Sequence, residues 1–474
     1  MRQLFPVERS YMLAFSKVDP PFAVAVVGGG ISGLMCARRL SQGGANVTIF
    51  EKAPVLGGEI HTATVAGHRI DMGAEAVHLS APGMKDLLSE LGLLEDLVHS
   101  NPGKSWLWTA RGLRRLPAGV GPSGPRHLKP VLGSGVMSFR GLARAALEPV
   151  IPRRALVGDV GVGEFVGRRF GKEVVERFVD PVLGSLHAGN VNKLSLRTIT
   201  PELAAIADSR SSVMMSRRGQ KSGPPMSFAT WPGGLSTLVE RLLVGTDVIV
   251  RTSTEVQSVK TISGGRFRLN LADDTDVEVD AVVLAVPARV AAKLIKGFAS
   301  NAAEILARIR YATVVTVIVA YPRAAVQAVP ALQGTGLLVP SSRRRLLKAA
   351  TFLTTKWPHL SDANYFLMRL SSGRADEREI ENLNDDALIA RLHSDLVDAT
   401  GITAEPSHFH VQRWEEAIPQ LEIGHLERIA AAREDLGREP GITLAGASYD
   451  GIGITACMRS GERAAQSTLT LIAK

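Results

Sequence analysis

The chain has 474 residues, of which 45% are hydrophobic and 21% are charged, and its formal net charge is +9. This length exceeds what one hydrophobic core supports, so we expect about three domains, and the composition excludes disordered and fibrous proteins. The absence of any run of about 18 apolar residues excludes a membrane-spanning helix, and the presence of only two cysteines excludes a disulfide framework and predicts a reduced, cytoplasmic protein.

Residues 1–21 lack the apolar stretch and small cleavage-site residues of a signal peptide, and we interpret them as a loosely ordered extension. Basic residues cluster at 153–154, 217–218 and 343–345. We interpret each cluster as solvated surface charge, because no recognisable nucleic-acid-binding motif accompanies them. The excess of cations therefore favours an acidic small-molecule substrate or an anionic lipid surface over nucleic acid.

The first periodic unit begins with the apolar run 22–27, which is typical of a buried parallel strand. A glycine-rich turn follows, with the sequence Gly28-Gly29-Gly30-Ile31-Ser32-Gly33, and helical spacing continues from Leu34. A second strand, 46–50, ends on Glu51. This context predicts a dinucleotide site, in which the glycines let the backbone approach a pyrophosphate and the helix N-terminus attracts its charge. We expect Glu51 to accept hydrogen bonds from the adenosine ribose.

Further along the chain, strands alternate with helices. This alternation predicts an α/β architecture with a parallel main sheet. The expected elements are an amphipathic stretch at 139–147, a helix at 157–179, strands at 254–259, 266–271, 280–286 and 442–446, and a helix from about Thr455.

FAD is favoured over an exchangeable nicotinamide cofactor. Gly57 and Gly58 form a second glycine pair that is close enough in sequence to flank the same pyrophosphate. The segments 280–287 and 445–455 are interpreted as walls of that site, so the far end of the chain returns to the first unit, which suits an extended cofactor. The final helix would point its positive end at the flavin and stabilise the anionic reduced form. Cys457 is interpreted as a core residue, and the FAD as non-covalent.

Several later motifs carry a resemblance to a known family. The chain resembles the oxygen-dependent protoporphyrinogen and coproporphyrinogen III oxidases, within the wider flavin amine oxidase-like group, from about residue 22 to 472. The glycine turn with Glu51, Lys52 and the second glycine pair is shared with all FAD proteins of this fold. The more specific motifs are Asp71-Met-Gly-Ala-Glu-Ala76, Asp180-Pro-Val-Leu-Gly184 with Ala188-Gly189, Lys193-Leu-Ser-Leu-Arg197, Phe228 with Gly233-Gly-Leu235, Trp414 with Ala417-Ile-Pro-Gln420 and Gly424-His425, and Gly446 to Ile454.

The resemblance implies an α/β fold in which a Rossmann-like, two-dinucleotide FAD-binding domain is interleaved with a substrate domain and a small helical domain. The FAD-binding domain is expected at 22–98, 232–287 and 436–474. The substrate-binding domain is expected at 99–116, 186–231 and 288–435. The helical domain, 117–185, would contact a membrane peripherally or cover the substrate channel.

The resemblance also extends the set of residues expected around the flavin. In addition to the glycine turn, Glu51, Gly57 and Gly58, these are Lys52, Gly73, Ala74, Glu75, Ala76, Val256, Trp414, Gly446, Gly453, Ile454 and Thr455. Glu75 is expected under or beside the flavin ring.

The substrate cleft is where this sequence departs from the family pattern. Ser185 and His187 stand where relatives have a glycine and an aromatic residue, and Lys104 lies where relatives often have an arginine. We expect His187 to act as a base or a substrate contact, with a purely hydrogen-bonded role as the alternative. Lys104, Ser185 and Arg197 are the expected substrate-binding residues, with solvated surface positions as the alternative for the two cations. No metal-ligating cluster is evident.

Three functions are consistent with these features. The first is oxidation of a coproporphyrinogen III- or protoporphyrinogen-like substrate by FAD, with dioxygen as the acceptor and H2O2 as the by-product. The second is a divergent flavin oxidase that acts on an amine or a specialised metabolite, which Ser185 and His187 favour. The third is a flavin-bound protein without turnover, acting as a binding component. The chain could act as a monomer or a homodimer.

Overall fold

The computed structural model describes residues 22–121, 124–125, 127–152, 156–217 and 227–472. The predicted extension 1–21, the basic pair 153–154 and Arg218 lie outside the described residues. Within these ranges, no helix is both long enough and apolar enough to cross a membrane.

A five-stranded parallel sheet forms the centre of the first unit, as the apolar runs predict. Its strands, in spatial order, are Ile249–Arg251, Asn46–Phe50, Ala23–Val27, Ala281–Leu284 and Ile442–Leu444. Alternate residues of each strand face opposite layers, because side chains along a strand alternate between the two faces. Val24 and Val26 pack into one apolar cluster, and Ala25 and Val27 into another.

Two different layers cover this sheet. One face packs against the helices Ile31–Gln42, Met84–Glu90, Ser236–Leu242 and Ile454–Ile472. The other face packs against an antiparallel sheet and helices, namely Val256–Ile262, Arg266–Leu271, Asp276–Val279, Ala288–Ile295, Ser300–Ala307 and His425–Leu436. The result is a three-layer α/β unit, so the predicted fold class is confirmed.

A seven-stranded sheet forms the centre of the second unit. All neighbouring strands are antiparallel except one parallel pair, Gly336–Leu338 with Trp106–Thr109. One face buries an apolar cluster against the helix Asp385–Thr400. In spatial order, the strands are His408–Pro419, Tyr311–Pro322, Tyr365–Ser372, Leu347–Phe352, Gly336–Leu338, Trp106–Thr109 and Gly112–Arg115.

A group of short helices with its own apolar cluster lies beside this sheet, and the cluster extends as far as Val213. Its elements are Lys129–Leu132, Phe139–Ala146, Val162–Phe170, Lys172–Val174, the π-helix Val175–Gly184, Leu196–Ile199, Pro201–Asp208 and Val213–Ser216. The segment 157–179, which was predicted to be helical, is helical from Val162 onward, but Gly171 adopts a φ of +96° and ends the helix Val162–Phe170. The domain boundaries listed above stay predictions.

Smaller elements complete the fold. The strands are Thr62–Val65 with His68–Asp71, Val77–His78 and Val98–His99 on either side of Phe228–Thr230, and Val120–Gly121 with Gly124–Pro125. The short helices are Arg323–Val326, Leu353–Lys356 and Ala447–Asp450.

Candidate flavin and substrate site

The glycine-rich turn connects the strand Ala23–Val27 to the helix that begins at Ile31. Gly28 has a φ of +104°, a conformation that favours glycine. A side chain at Gly33 would also clash, because its Cβ would lie 2.0 Å from the Gly28 carbonyl oxygen. The two glycines therefore serve the turn itself, which brings the helix close to the end of the strand.

Gly30 differs from these two positions. Its φ is −71°, which any residue can adopt, and a Cβ placed there would meet no heavy atom within 4 Å. A Cβ on Gly453 would likewise meet no heavy atom within 4 Å. The helix Ile454–Ile472 crosses the first helix closely, since a Cβ on Gly461 would lie 2.2 Å from the Ser32 carbonyl oxygen.

The helices that begin at Ile31 and Ile454 therefore pack closely, and the glycine before each of them is uncrowded, which suits the negative charge of a pyrophosphate. Gly446 is also close, because its Cβ would lie 4.0 Å from the Ser32 hydroxyl oxygen. The second glycine pair packs against the turn, since the Gly57 amide donates to the Gly29 carbonyl at 2.9 Å. These residues fit a dinucleotide cofactor.

Glu51 lies at the end of the second strand, as predicted, and it already has two backbone partners. One carboxylate oxygen accepts from the Gly29 amide at 2.7 Å, and the other accepts from the Ala53 amide at 2.7 Å. Each oxygen has a second lone pair available for a ribose hydroxyl. The Thr254 amide donates to the Glu51 carbonyl at 2.8 Å, which places the segment leading to Val256 beside Glu51. The Val256 side chain itself is buried in the core.

Glu75 forms the centre of a second group of charged residues. Its Oε1 accepts from Lys356 Nζ at 2.7 Å and from Trp357 Nε1 at 2.6 Å, and its Oε2 lies 3.6 Å from Arg369 Nη1. Burial would raise the pKa of Glu75, but Lys356 and Arg369 outweigh it and hold this pKa below its ordinary value. Glu75 is therefore a carboxylate, and its charge is balanced by two cations from the unit of the seven-stranded sheet.

The segment around Gly73 joins the two units of the fold. Arg369 donates to the Gly73 carbonyl through Nη2, and Trp414 Nε1 donates to the Met72 carbonyl at 3.2 Å. A Cβ on Gly73 would lie 1.8 Å from the Glu59 carbonyl oxygen. The residues predicted near the flavin ring, Gly73 to Glu75 and Trp414, are thus brought together, and the 57–60 loop packs against them.

Glu59 is an acidic residue in this 57–60 loop. Its side chain is open to solvent, yet burial of the carboxyl raises its pKa to about 7, against the opposing effect of Arg289.

His187 and Ser185 follow the π-helix Val175–Gly184. Burial lowers the pKa of His187 to about 4, so its imidazole is neutral near pH 7. Among the described residues, its Nδ1 and the Ser185 hydroxyl have no hydrogen-bond partner although both atoms are buried. Gln420 donates to the His187 carbonyl at 3.0 Å. An imidazole with this pKa is a weak base and is better suited to forming a hydrogen bond to a ligand.

The two predicted substrate cations have different surroundings. Arg197 contacts both carboxylate oxygens of Asp208, at 2.9 and 3.0 Å, so its charge is already paired. Lys104 has an exposed side chain, and its backbone carbonyl accepts from the Thr335 amide at 3.4 Å. The assignment of both residues to substrate binding stays a prediction, and the existing ion pair makes Arg197 the weaker candidate.

Comparison with known proteins supplies the family. The model of the family described as flavin containing amine oxidoreductase matches residues 31–469 of this chain. The chain belongs to this family. It is therefore a flavin-dependent oxidoreductase, and the resemblance inferred from the motifs is confirmed.

Several members of the family are similar to this chain over nearly their full length. The coproporphyrinogen III oxidase of Bacillus subtilis (strain 168) is 30% identical over 95% of this chain and 98% of its own. The coproporphyrinogen III oxidase of Mycobacterium tuberculosis (strain ATCC 25618 / H37Rv) is 34% identical with the same coverage of 95% and 98%. A crystal structure from Exiguobacterium sp. 255-15, provisionally assigned as a protoporphyrinogen oxidase, is 26% identical, with a TM-score of 0.85 over 95% of this chain and 99% of its own.

The sequence analysis did not identify four cations in the unit of the seven-stranded sheet of this flavin-containing amine oxidoreductase. They are Lys348, Lys356, Arg369 and Arg374. Lys356 and Arg369 are the partners of Glu75. Lys348 and Arg374 are buried, and the charges of Arg369 and Arg374 both act on Lys348. One signal was available, because Lys348 interrupts the apolar run 346–350, and a lysine in such a run is unusual for a buried strand.

Proposed function

We propose that this protein is an FAD-dependent oxidase that dehydrogenates a coproporphyrinogen III- or protoporphyrinogen-like substrate. The observation that carries this proposal is the alignment with coproporphyrinogen III oxidases across 95% of the chain. The uncrowded glycines before the two helices support a bound dinucleotide, and Glu51 supports an unphosphorylated adenosine ribose. FAD is the cofactor whose length suits a site that runs from Glu51 to Glu75 and Trp414.

When it is bound, FAD supplies the acceptor for a hydride at N5 and transfers the electrons to dioxygen, which yields H2O2. The residues of the protein bind the substrate, exclude water and accept hydrogen bonds. The neutral His187 offers its unpartnered Nδ1 as an acceptor for a pyrrole N–H or as a donor to a substrate oxygen, depending on its tautomer. The ion pairs of Glu75 fix the segment that would lie beside the flavin ring.

A turnover assay tests this function. The yellow protein, purified with its flavin, is mixed with coproporphyrinogen III while porphyrin fluorescence and peroxide are recorded. We expect both signals to rise together in air and the flavin to bleach without oxygen. Bleaching by an amine or another reductant, without porphyrin formation, would instead support the divergent flavin oxidase. A protein that purifies without flavin would contradict the proposal.

We also propose that the group of short helices contacts an anionic membrane surface. Several of its large apolar side chains are exposed, and Arg140, which follows one of them in sequence, is exposed as well. The exposed apolar residues are Leu132, Phe139, Leu147, Val150 and Val157. Co-sedimentation with vesicles of anionic lipid, compared with neutral vesicles and with a Phe139→Ser variant, tests this contact. Equal recovery with both kinds of vesicle would count against it.

A further inference from the structure

Lys348 lies in the strand Leu347–Phe352 of the seven-stranded sheet. The pairing with the strand Tyr365–Ser372 shifts register between Leu347 and Ala349, so Lys348 is the extra residue of a β-bulge. Its side chain is only 3% exposed. Leu347, Ala350 and Phe352 belong to the apolar cluster on one face of the sheet, and Lys348 does not. The bulge thus places a lysine where the strand would otherwise continue its apolar pattern.

The charges around Lys348 are mostly positive. The charged groups that act on it are Arg369 and Arg374, both cations, and Glu377. Among the described residues, no carboxylate lies within ion-pair distance of its ammonium group. Glu377 is closer to Arg374, with 3.7 Å between its Oε1 and Arg374 Nε. The buried ammonium therefore has no carboxylate of its own.

Arg374 also lacks a full set of hydrogen-bond partners among the described residues. It is 7% exposed, its Nη2 donates to the Val339 carbonyl at 3.3 Å, and its Nη1 is buried without a partner among the described residues. A buried N–H group without a partner is unfavourable unless a ligand or water satisfies it. Two neighbouring cations thus have unused capacity to bind an anion.

The position of this pair points to the substrate. The Ala375 amide, one residue after Arg374, donates to the Ala188 carbonyl at 2.8 Å, which is one residue after His187. On the other side, Arg369 contacts Glu75. Arg374 is therefore next in sequence to a residue that contacts the segment predicted to line the substrate cleft. Arg369, whose charge acts on Lys348, contacts the segment predicted to lie beside the flavin.

A cavity of about 670 Å³ also opens next to Arg374. It contains neither Glu75 nor the glycine turn. Acidic side chains outnumber basic ones on its wall, which carries Glu164, Glu176, Asp180, Asp376 and Glu377 against Lys172, Arg344 and Arg374. We assign the anion site to the Lys348 side of Arg374, because the acidic wall would repel an anion.

We propose that Lys348 and Arg374 together bind a carboxylate group of the substrate. This inference rests on the proposed function, because it deepens that function by assigning the residues that hold an acidic side chain of the substrate. A carboxylate here would bind both cations and pair with Nη1 of Arg374, which has no partner among the described residues.

The affinity for such a ligand should depend on pH. Burial is the main cause that lowers the pKa of Lys348. Arg374 and Arg369 add to this effect, Glu377 opposes it, and the net pKa is about 7. A bound carboxylate favours the charged lysine, so binding above pH 7 requires uptake of a proton. Affinity should therefore fall as the pH rises from 7 to 9.

Binding of coproporphyrin III, the oxidised and fluorescent form, tests the site without turnover. We expect Lys348→Met to weaken this binding roughly tenfold to a hundredfold at pH 6.5 and to remove its dependence on pH. The tetramethyl ester of the same porphyrin, which has no carboxylate, should bind equally to both proteins. Lys260→Met is the matched control, because Lys260 is exposed on the strand Val256–Ile262. Lys348→Gln, which also removes the positive charge, is a second variant for the same test.

The outcomes distinguish this site from the proposed function. Unchanged binding of coproporphyrin III by Lys348→Met, or equal losses for the acid and the ester, would overturn the site even if the parent oxidises porphyrinogens. Weaker binding of the acid alone would support the site even if the parent oxidises none. A parent protein that does not bind coproporphyrin III would overturn the site.

Discussion

Replacing Lys348 with methionine should stabilise the protein even though it weakens ligand binding. A lysine that served only the fold would have a carboxylate partner, and its removal would cost stability. Lys348 has none within ion-pair distance among the described residues, and its side chain is 3% exposed. Methionine has a similar length and suits a buried strand, so the substitution removes an unfavourable charge without leaving a large cavity.

The lowered pKa sets the size of this effect. Lowering the pKa of an ammonium from 10.5 to about 7 corresponds to roughly 5 kcal/mol of unfavourable free energy for the charged form. Below pH 7 the lysine is charged in both the folded and unfolded states, so the whole penalty applies. Between pH 7 and 10.5 only the unfolded state retains the proton, so the stability of the parent rises with pH. At pH 9 the remaining penalty is roughly 2 kcal/mol.

Thermal unfolding of the parent and Lys348→Met at pH 6 and pH 9 measures this difference. We expect the variant to melt at a higher temperature at both pH values, with the larger gain at pH 6. Lys260→Met should change stability by no more than about 0.5 kcal/mol at either pH. The reasoning is refuted if Lys348→Met melts below the parent at pH 6, or if its gain is the same at pH 9.

Four further substitutions test other parts of the structure. Gly28→Ala should destabilise the apoprotein, because its Cβ would lie 2.5 Å from a carbonyl oxygen. Gly30→Ala should melt like the parent and yet purify with little flavin. A Gly30→Ala protein that carries as much flavin as the parent would contradict the cofactor placement. Glu148→Ala should cost roughly 3–5 kcal/mol in denaturant unfolding, because it leaves the buried Arg169 without its carboxylate, and a loss below about 1 kcal/mol would argue against this. Glu59→Gln should raise the melting temperature of the apoprotein above pH 7 and have little effect below pH 4.5. The reason is that the raised pKa of Glu59 makes the parent lose stability as the pH rises from 4.5 to 7. A uniform shift of the melting temperature at all pH values would count against this.

The features that could be predicted from sequence depend on residues close together in the chain. The strand Ala23–Val27, the turn at Gly28 and the helix from Ile31 were readable because the apolar run, the glycines and the helical spacing are contiguous. The strand Arg266–Leu271 was predicted at its observed bounds for the same reason. The broken helix at 157–179 was missed because the positive φ of Gly171 depends on how the chain packs there.

The charged groups of the site depend on contacts between distant parts of the chain. Glu75 could be placed near the flavin by its motif, but its partner Lys356 lies 281 residues away in sequence. No local pattern indicates which cation reaches which carboxylate, because that follows from the register of the seven-stranded sheet. Arg197 shows the converse, since its motif was recognisable while its ion pair with Asp208 was not.

The partners of the cations also change what the net charge of +9 indicates about the substrate. In the basic run 343–345, Arg345 lies 3.1 Å from Asp395 and 2.8 Å from Asp398, so one member of the run already has carboxylate partners on the helix Asp385–Thr400. Ion pairs and solvated charges at a surface contribute little to recognition, because water screens them. A single buried ammonium attracts an anion much more strongly, because the surrounding medium screens it less. The residue most able to select an acidic substrate is therefore an isolated lysine in an apolar strand, Lys348, rather than any basic cluster that contributes visibly to the net charge.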